Sequence, residues 1–191
     1  MQSLVRPIAR MSFFATGGIG AVPIAGDSFE SSGIYSVKGS GADVWGTADA
    51  FHYAYTTLSG DGTIVARVAT IQQGVNAWVK AGVMIRESIA AGSPQAFMLG
   101  SAAKGMAFQR RLAANDISFS TAGSLSAAPR WVKLQRNGNS FSAYESADGT
   151  NWTLVGTDTI PMGTNVLVGL AVTSHATGAA ATCTFDNVRI E

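Results

Sequence analysis

From about Gly26 to Glu191 no stretch runs long enough without glycine, proline or a turn pair to make a helix of more than one turn. The Ala-rich segment "ESIAAGSPQAFMLGSAAKGMAFQRRLAAND" is the strongest temptation, and Gly92, Pro94, Gly100 and Gly105 interrupt it. It divides instead into strands near Ala96–Gly100 and Met106–Arg111. The rest of the chain behaves alike. "FHYAYTTL" and "TIVARVATI" flank a bend at Gly60, Asp61 and Gly62, a strand–turn–strand unit. "WVKLQR", "SFSAYES" and "TNWTLVGT" are joined by "NGN" and "ADG", which predicts two successive hairpins. "VLVGLAVTSH" and "ATCTFDNVRI" add two closing strands. Many short strands with turn chemistry between them predict an all-β antiparallel sandwich.

Within that frame "WVKAGVMIRES" carries the most information. In an extended chain Val79, Ala81, Val83 and Ile85 point one way, while Trp78, Lys80, Gly82, Met84 and Arg86 point the other. The first set is an ordinary core face. The second is cationic and begins with an aromatic ring, so it either meets water or lines a cleft. The same alternation puts Gln109 with Arg111, Thr173 with His175, and Trp131 with Lys133 and Gln135. If those faces share one sheet, it offers guanidinium, amide, imidazole and aromatic groups on an open surface. Sugar binding uses that mixture, planar hydrogen-bonding groups for hydroxyls and a ring for the apolar face of a pyranose. The candidate binding residues are therefore Trp78, Lys80, Arg86, Gln109, Arg111 and His175, with His52 and the aromatics Trp45 and Tyr144. The competing reading has Lys80 and Arg86 run apolar stems over the sheet with charged heads in solvent, or has Arg86 pair with the strand neighbours of Glu87 and stabilise the sheet.

Composition narrows the partners. With 13 Lys and Arg against 12 Asp and Glu the net charge is +1, and only Arg110–Arg111 juxtaposes two cations. That is too little for a phosphate-tracking stripe, so no nucleic-acid partner is expected. No apolar run approaches the roughly 20 residues of a spanning helix, so no membrane span is expected. "MSFFA" is too short and broken for a signal-peptide core. The lone Cys183 permits no intrachain disulfide and reads as a strand residue.

Several blocks resemble one known module. "GSGADVWGTADAFHYAYTTLSGDGTIVARV", "WVKAGVMIRES", "AAGSPQAFML", "WVKLQRNGNSFSAYESADGTNWTLVG" and "VGLAVTSH…TFDNVRI" look like the concanavalin A-like lectin/glucanase domain, of the laminin-G-like type found near bacterial glycan-active enzymes. The resemblance spans roughly Gly20 to Glu191. It implies a jelly roll of two curved antiparallel sheets, an extracellular or cell-surface setting, and a carbohydrate-binding or spacer role. Residues 1–18 match nothing in that pattern and are expected to form an N-terminal extension to a domain of residues 19–191.

Catalysis is not expected. Glycosidases on this fold set two carboxylates across the scissile bond, and the acids here are scattered. Glu145 and Asp148 are three apart, with a turn carrying one from the other. There is no Gly-x-Ser-x-Gly elbow and only two histidines, His52 and His175. No cofactor is required. A structural calcium is an open reading, because calcium takes Asp oxygens and loop carbonyls. Jelly-roll binding modules place an Asp of the last strand on such an ion, and Asp186 compares with it, with Asp27 or Asp43 to complete the site. The alternative function is self-assembly, in which an arm containing Leu4, Val5, Ile8, Phe13 and Phe14 packs on another copy. A glycan hydrolase or lyase ranks below both.

Overall fold

The computed structural model describes residues 15–191. The arm residues Leu4, Val5, Ile8, Phe13 and Phe14 lie outside the described residues. The strands are β1 (Ala15–Ile19), β2 (Asp27–Ser31), β3 (Ile34–Gly41), β4 (Phe51–Ser59), β5 (Gly62–Ile71), β6 (Lys80–Arg86) and β7 (Gln95–Ser101). They continue with β8 (Met106–Arg111), β9 (Ser118–Ala122), β10 (Arg130–Asn137), β11 (Ser140–Ser146), β12 (Thr153–Thr159), β13 (Asn165–Thr173) and β14 (Ala176–Ile190). No helix occurs among the described residues. Two seven-stranded antiparallel sheets form the sandwich, in the orders β1-β4-β13-β6-β7-β8-β9 and β12-β11-β10-β5-β14-β3-β2. The expected boundary after residue 18 falls inside β1, whose pairing with β4 runs from Ala15↔Tyr55 to Ile19↔Phe51, so residues 15–18 pair within the first sheet.

The two hairpins β10–β11–β12 form in the expected places, with a register shift between Ala143 and Tyr144. The bend at Gly60–Gly62 has another role. It sends β4 into the first sheet and β5 into the second, crossing the core instead of closing a hairpin. Strands β13 and β14 part in the same way.

The main core lies between the sheets, where Val79, Ala81, Val83 and Ile85 meet Ile64, Ala66, Val132, Leu134, Phe141 and Phe185. A second cluster lies on the other face of the first sheet: Ile19, Val44, Phe51, Tyr53, Met84, Phe97 and Leu99. All seven residues of β6 and all seven of β7 are buried. A strand buried on both faces reads as near-continuous apolar sequence, and "QAFMLGS" does so. The second cluster is covered by the segment of residues 42–50, whose Val44 is fully buried. Gly41 begins that segment at φ 126, where a Cβ would sit 2.0 Å from the Ala50 carbonyl oxygen, so only glycine fits the turn.

Candidate functional site

Alternation correctly groups Lys80, Met84 and Arg86 with Gln109 and Arg111, since β6, β7 and β8 are neighbours in one sheet. It fails for Trp131, Lys133 and Gln135, which lie on β10 in the second sheet. The expectation of one open cationic face is corrected as well. Arg86 and Arg111 are 0% exposed, Lys80 is 2% exposed and Gln109 is 4% exposed. The face is divided into a closed end and an open end.

At the closed end Arg86, Gln95 and Arg111 stand in one register row. Asp49 bridges the two arginines. Arg111 donates to it in a two-point fork, Nη2 to Oδ1 at 2.6 Å and Nη1 to Oδ2 at 2.9 Å, and Arg86 Nη1 lies 3.3 Å from Oδ2. Backbone carbonyls take the remaining donors. Arg86 reaches Ser88 O and Ala90 O, while Arg111 reaches Gly46 O, Ala91 O, Ser93 O and Asp116 O. Burial pushes the Arg86 pKa down against the opposing pull of Asp49. Two cations and one anion leave an excess positive charge, and the carbonyl dipoles offset it. These arginines therefore fasten the segments of residues 42–50, 88–94 and 113–118 onto the sheet and are shielded from any ligand.

The open end is a cavity of about 330 Å³ lined by Asp43, Trp45, Trp78, Lys80, Gln109, Ser120 and His175. Trp45 and Trp78 are 41% and 38% exposed, and each ring centroid lies 5.8 Å from Lys80 Nζ. Lys80 directs its donors inward, to Asp43 Oδ1 at 2.5 Å, Gln109 Oε1 at 3.0 Å and Val44 O at 3.3 Å. Burial lowers its pKa, while the charge of Asp43 opposes the shift. The second oxygen of Asp43 faces His175 Nε2 at 3.2 Å. His175 follows the end of β13 with φ at 52. Asn76 ties the walls together, donating from Nδ2 to His175 O at 3.2 Å and accepting at Oδ1 from Trp78 N at 2.8 Å.

Five of the nine candidate binding residues thus meet in one cavity: Trp45, Trp78, Lys80, Gln109 and His175. Arg86 and Arg111 belong to the closed end. His52 is buried by the β1 and β2 edges, with Nε2 2.7 Å from Thr16 Oγ1 and 3.0 Å from Ser28 Oγ. Tyr144 lies on the second sheet, where Lys133 Nζ sits 4.3 Å from its ring centroid and 4.4 Å from that of Trp152. Ser120, Asn76 and Asp49 escaped the sequence reading. Buried arginines demand an acid, but alternation does not say which of twelve supplies it.

The acids grouped for calcium are not brought together. Asp186 pairs with Arg67, Asp27 caps Ser28 N, and Asp43 is held by Lys80 and His175. No group of three or more His, Cys, Asp or Glu that could hold a metal ion occurs among the described residues. Glu145 accepts from Ser124 and Arg130, and Asp148 orders its own turn through Thr150, Asn151 and Ser146.

No family model matches the chain, and no curated protein does. Solved structures do match. A functionally unknown protein from Saccharomyces cerevisiae superposes with a TM-score of 0.69 at 18% identity, over 86% of this chain and 91% of that one. Carbohydrate binding module CBM66 from Bacillus subtilis gives a TM-score of 0.61 at 18% identity, over 92% of this chain and 94% of that one. LamAcat from Zobellia galactanivorans gives 0.56 at 11% identity, over 94% of this chain and 95% of that one. At these identities the likeness is one of fold.

Proposed function

We propose that this domain binds carbohydrate in the cavity between Trp45 and Trp78 and does so without catalysing a reaction. The observation that carries the reading is the pairing of two half-exposed indoles with a polar floor already ordered by its own hydrogen bonds. Such a floor costs little entropy to organise on binding, and the rings supply apolar contact area for a sugar face. The fold it shares with a carbohydrate binding module supports the same reading. So does the carboxylate inventory. Among the described residues Asp43 is the single acid lining the cavity, and Lys80 and His175 already engage it. Hydrolysis of a glycosidic bond calls for a second acid across the cleft.

Electrophoresis through native gels containing embedded polysaccharides tests the proposal. Wild type is retarded by at least one polymer. Trp78→Ala loses about 2 kcal/mol of binding, roughly thirtyfold in affinity. Trp152→Ala, in the turn before β12 and beside the other sheet, runs as wild type does. Equal retardation of wild type and Trp78→Ala would sink the cavity assignment.

A further inference from the structure

The cavity's unengaged groups are mostly donors. Lys80 turns Oε1 of Gln109 toward itself, which leaves Gln109 Nε2 without a partner among the described residues. The indole N–H groups of Trp45 and Trp78 have none either, among the same residues. Beside the cavity and outside its lining, Lys104, exposed in the turn between β7 and β8, brings its ammonium 5.9 Å from the Trp78 ring centroid and forms no ion pair among the described residues. On the acceptor side, Asp43 Oδ1 already receives Lys80 Nζ and Val44 N, and Oδ2 faces His175. That leaves as acceptors one Oδ2 lone pair, the second lone pair of Gln109 Oε1, the Ser120 hydroxyl, and His175 Nδ1 in the tautomer that aims Nε2–H at Asp43, still fewer than the donor hydrogens of the Gln109 amide, the two indoles and Lys104.

A neutral sugar presents hydroxyls, each with a hydrogen that needs an acceptor. A carboxylate or sulfate presents acceptors alone and takes charge-assisted bonds from ammonium and amide donors. Resting on the carbohydrate reading above, we propose that the preferred ligand is an acidic glycan. Its carboxylate or sulfate lies against Gln109 Nε2 and Lys104, with its ring on Trp78. Lys80 is then a positioning residue: it fixes Asp43 and orients the Gln109 amide, and does not itself meet the anion.

The test compares polygalacturonate and dextran sulfate with uncharged xylan and dextran, by affinity electrophoresis and by isothermal titration at two salt concentrations. Preference for an acidic polymer, weakened by salt, is the expected result. Lys104→Gln should then lose roughly threefold to fivefold in affinity, as fits an exposed charge contact, while the remote exposed Lys38→Gln is unchanged. The two acidic polymers separate carboxylate from sulfate recognition. Uncharged polymer bound as well as or better than acidic, with the binding lost in Trp78→Ala, overturns the acidic preference and leaves the carbohydrate reading standing. Equal losses in Lys104→Gln and Lys38→Gln also overturn it, since they report only bulk charge. No polymer bound at all overturns both.

Discussion

Replacing Asp49 by asparagine tests how this chain holds loops over its first sheet. Asparagine keeps the volume and one acceptor oxygen, so the substitution removes charge without opening a cavity. In the native protein the carboxylate is 0% exposed at its side chain and receives a two-point fork from Arg111 as well as Arg86 Nη1. Deleting one partner of a buried ion pair costs about 3–5 kcal/mol, because the remaining charge stays buried and uncompensated. Here a single deletion leaves two cations, and one amide N–H₂ is turned toward a guanidinium that also donates. The residual carbonyl contacts soften the loss, so about 3–5 kcal/mol is the expected destabilisation, a large share of the roughly 5–15 kcal/mol typical of a domain. At about 2–4 °C per kcal/mol for a chain of this size, the midpoint falls by about 6–20 °C. Urea denaturation followed by circular dichroism reads it directly. Replacing Arg86 by Met in the same protein should recover part of the loss, since it removes one stranded charge. A variant within about 1 kcal/mol of wild type would refute the view that Asp49 neutralises the closed end.

Two further predictions rest on buried titratable groups. His52 has its pKa lowered by burial, with Asp27 opposing, and no partner for Nδ1 among the described residues. Its neutral form is the one the fold accommodates, so its contribution is present above the unfolded value of about 6.5 and is lost as pH falls below it toward the lowered folded value. Denaturation midpoints should therefore drop between pH 7.5 and 5, with a shallower drop in His52→Gln; parallel slopes would discard the assignment. Cys183 is fully buried, and burial pushes its thiol up to about 12. It should resist alkylating reagents at pH 8 until urea unfolds the chain. Rapid labelling of the native protein would show that β14 opens.

The sandwich was legible because its signals are local. Turn glycines and alternation place β6, β10, β11 and β13 and put Val83, Ile85, Val168 and Leu170 in the core. Sheet membership is not local. Nothing between "LSG" and "GTI" tells β4 and β5 to enter different sheets, so the sequence alone groups Lys133 and Tyr144 with an open polar face that lies on the other sheet. The cover over the first sheet was illegible for a related reason. Met84, Phe97 and Leu99 sit on its outer face beside Lys80 and Arg86, and their hydrophobicity says that something covers them. Which loop does so depends on where residues 42–50 return, a long-range outcome set by Gly41, Asp43 and Asp49.

That one segment gives the face both of its characters. Asp43 near its start engages Lys80 and His175, and Asp49 near its end engages Arg86 and Arg111. Between them Trp45 and Gly46 give their carbonyls to Arg111, while the Trp45 ring walls the cavity. The closed end is thus the foundation of the open one: the bonds that hold Trp45's backbone are made by a guanidinium no ligand can reach. An aromatic ring carried on an otherwise irregular segment contributes to affinity only if it is already in place when the ligand arrives. The buried charge is costly in itself, and an apolar filling would serve packing as well. What an apolar filling cannot do is accept and donate in fixed directions, and it is those directions that seat Trp45 opposite Trp78.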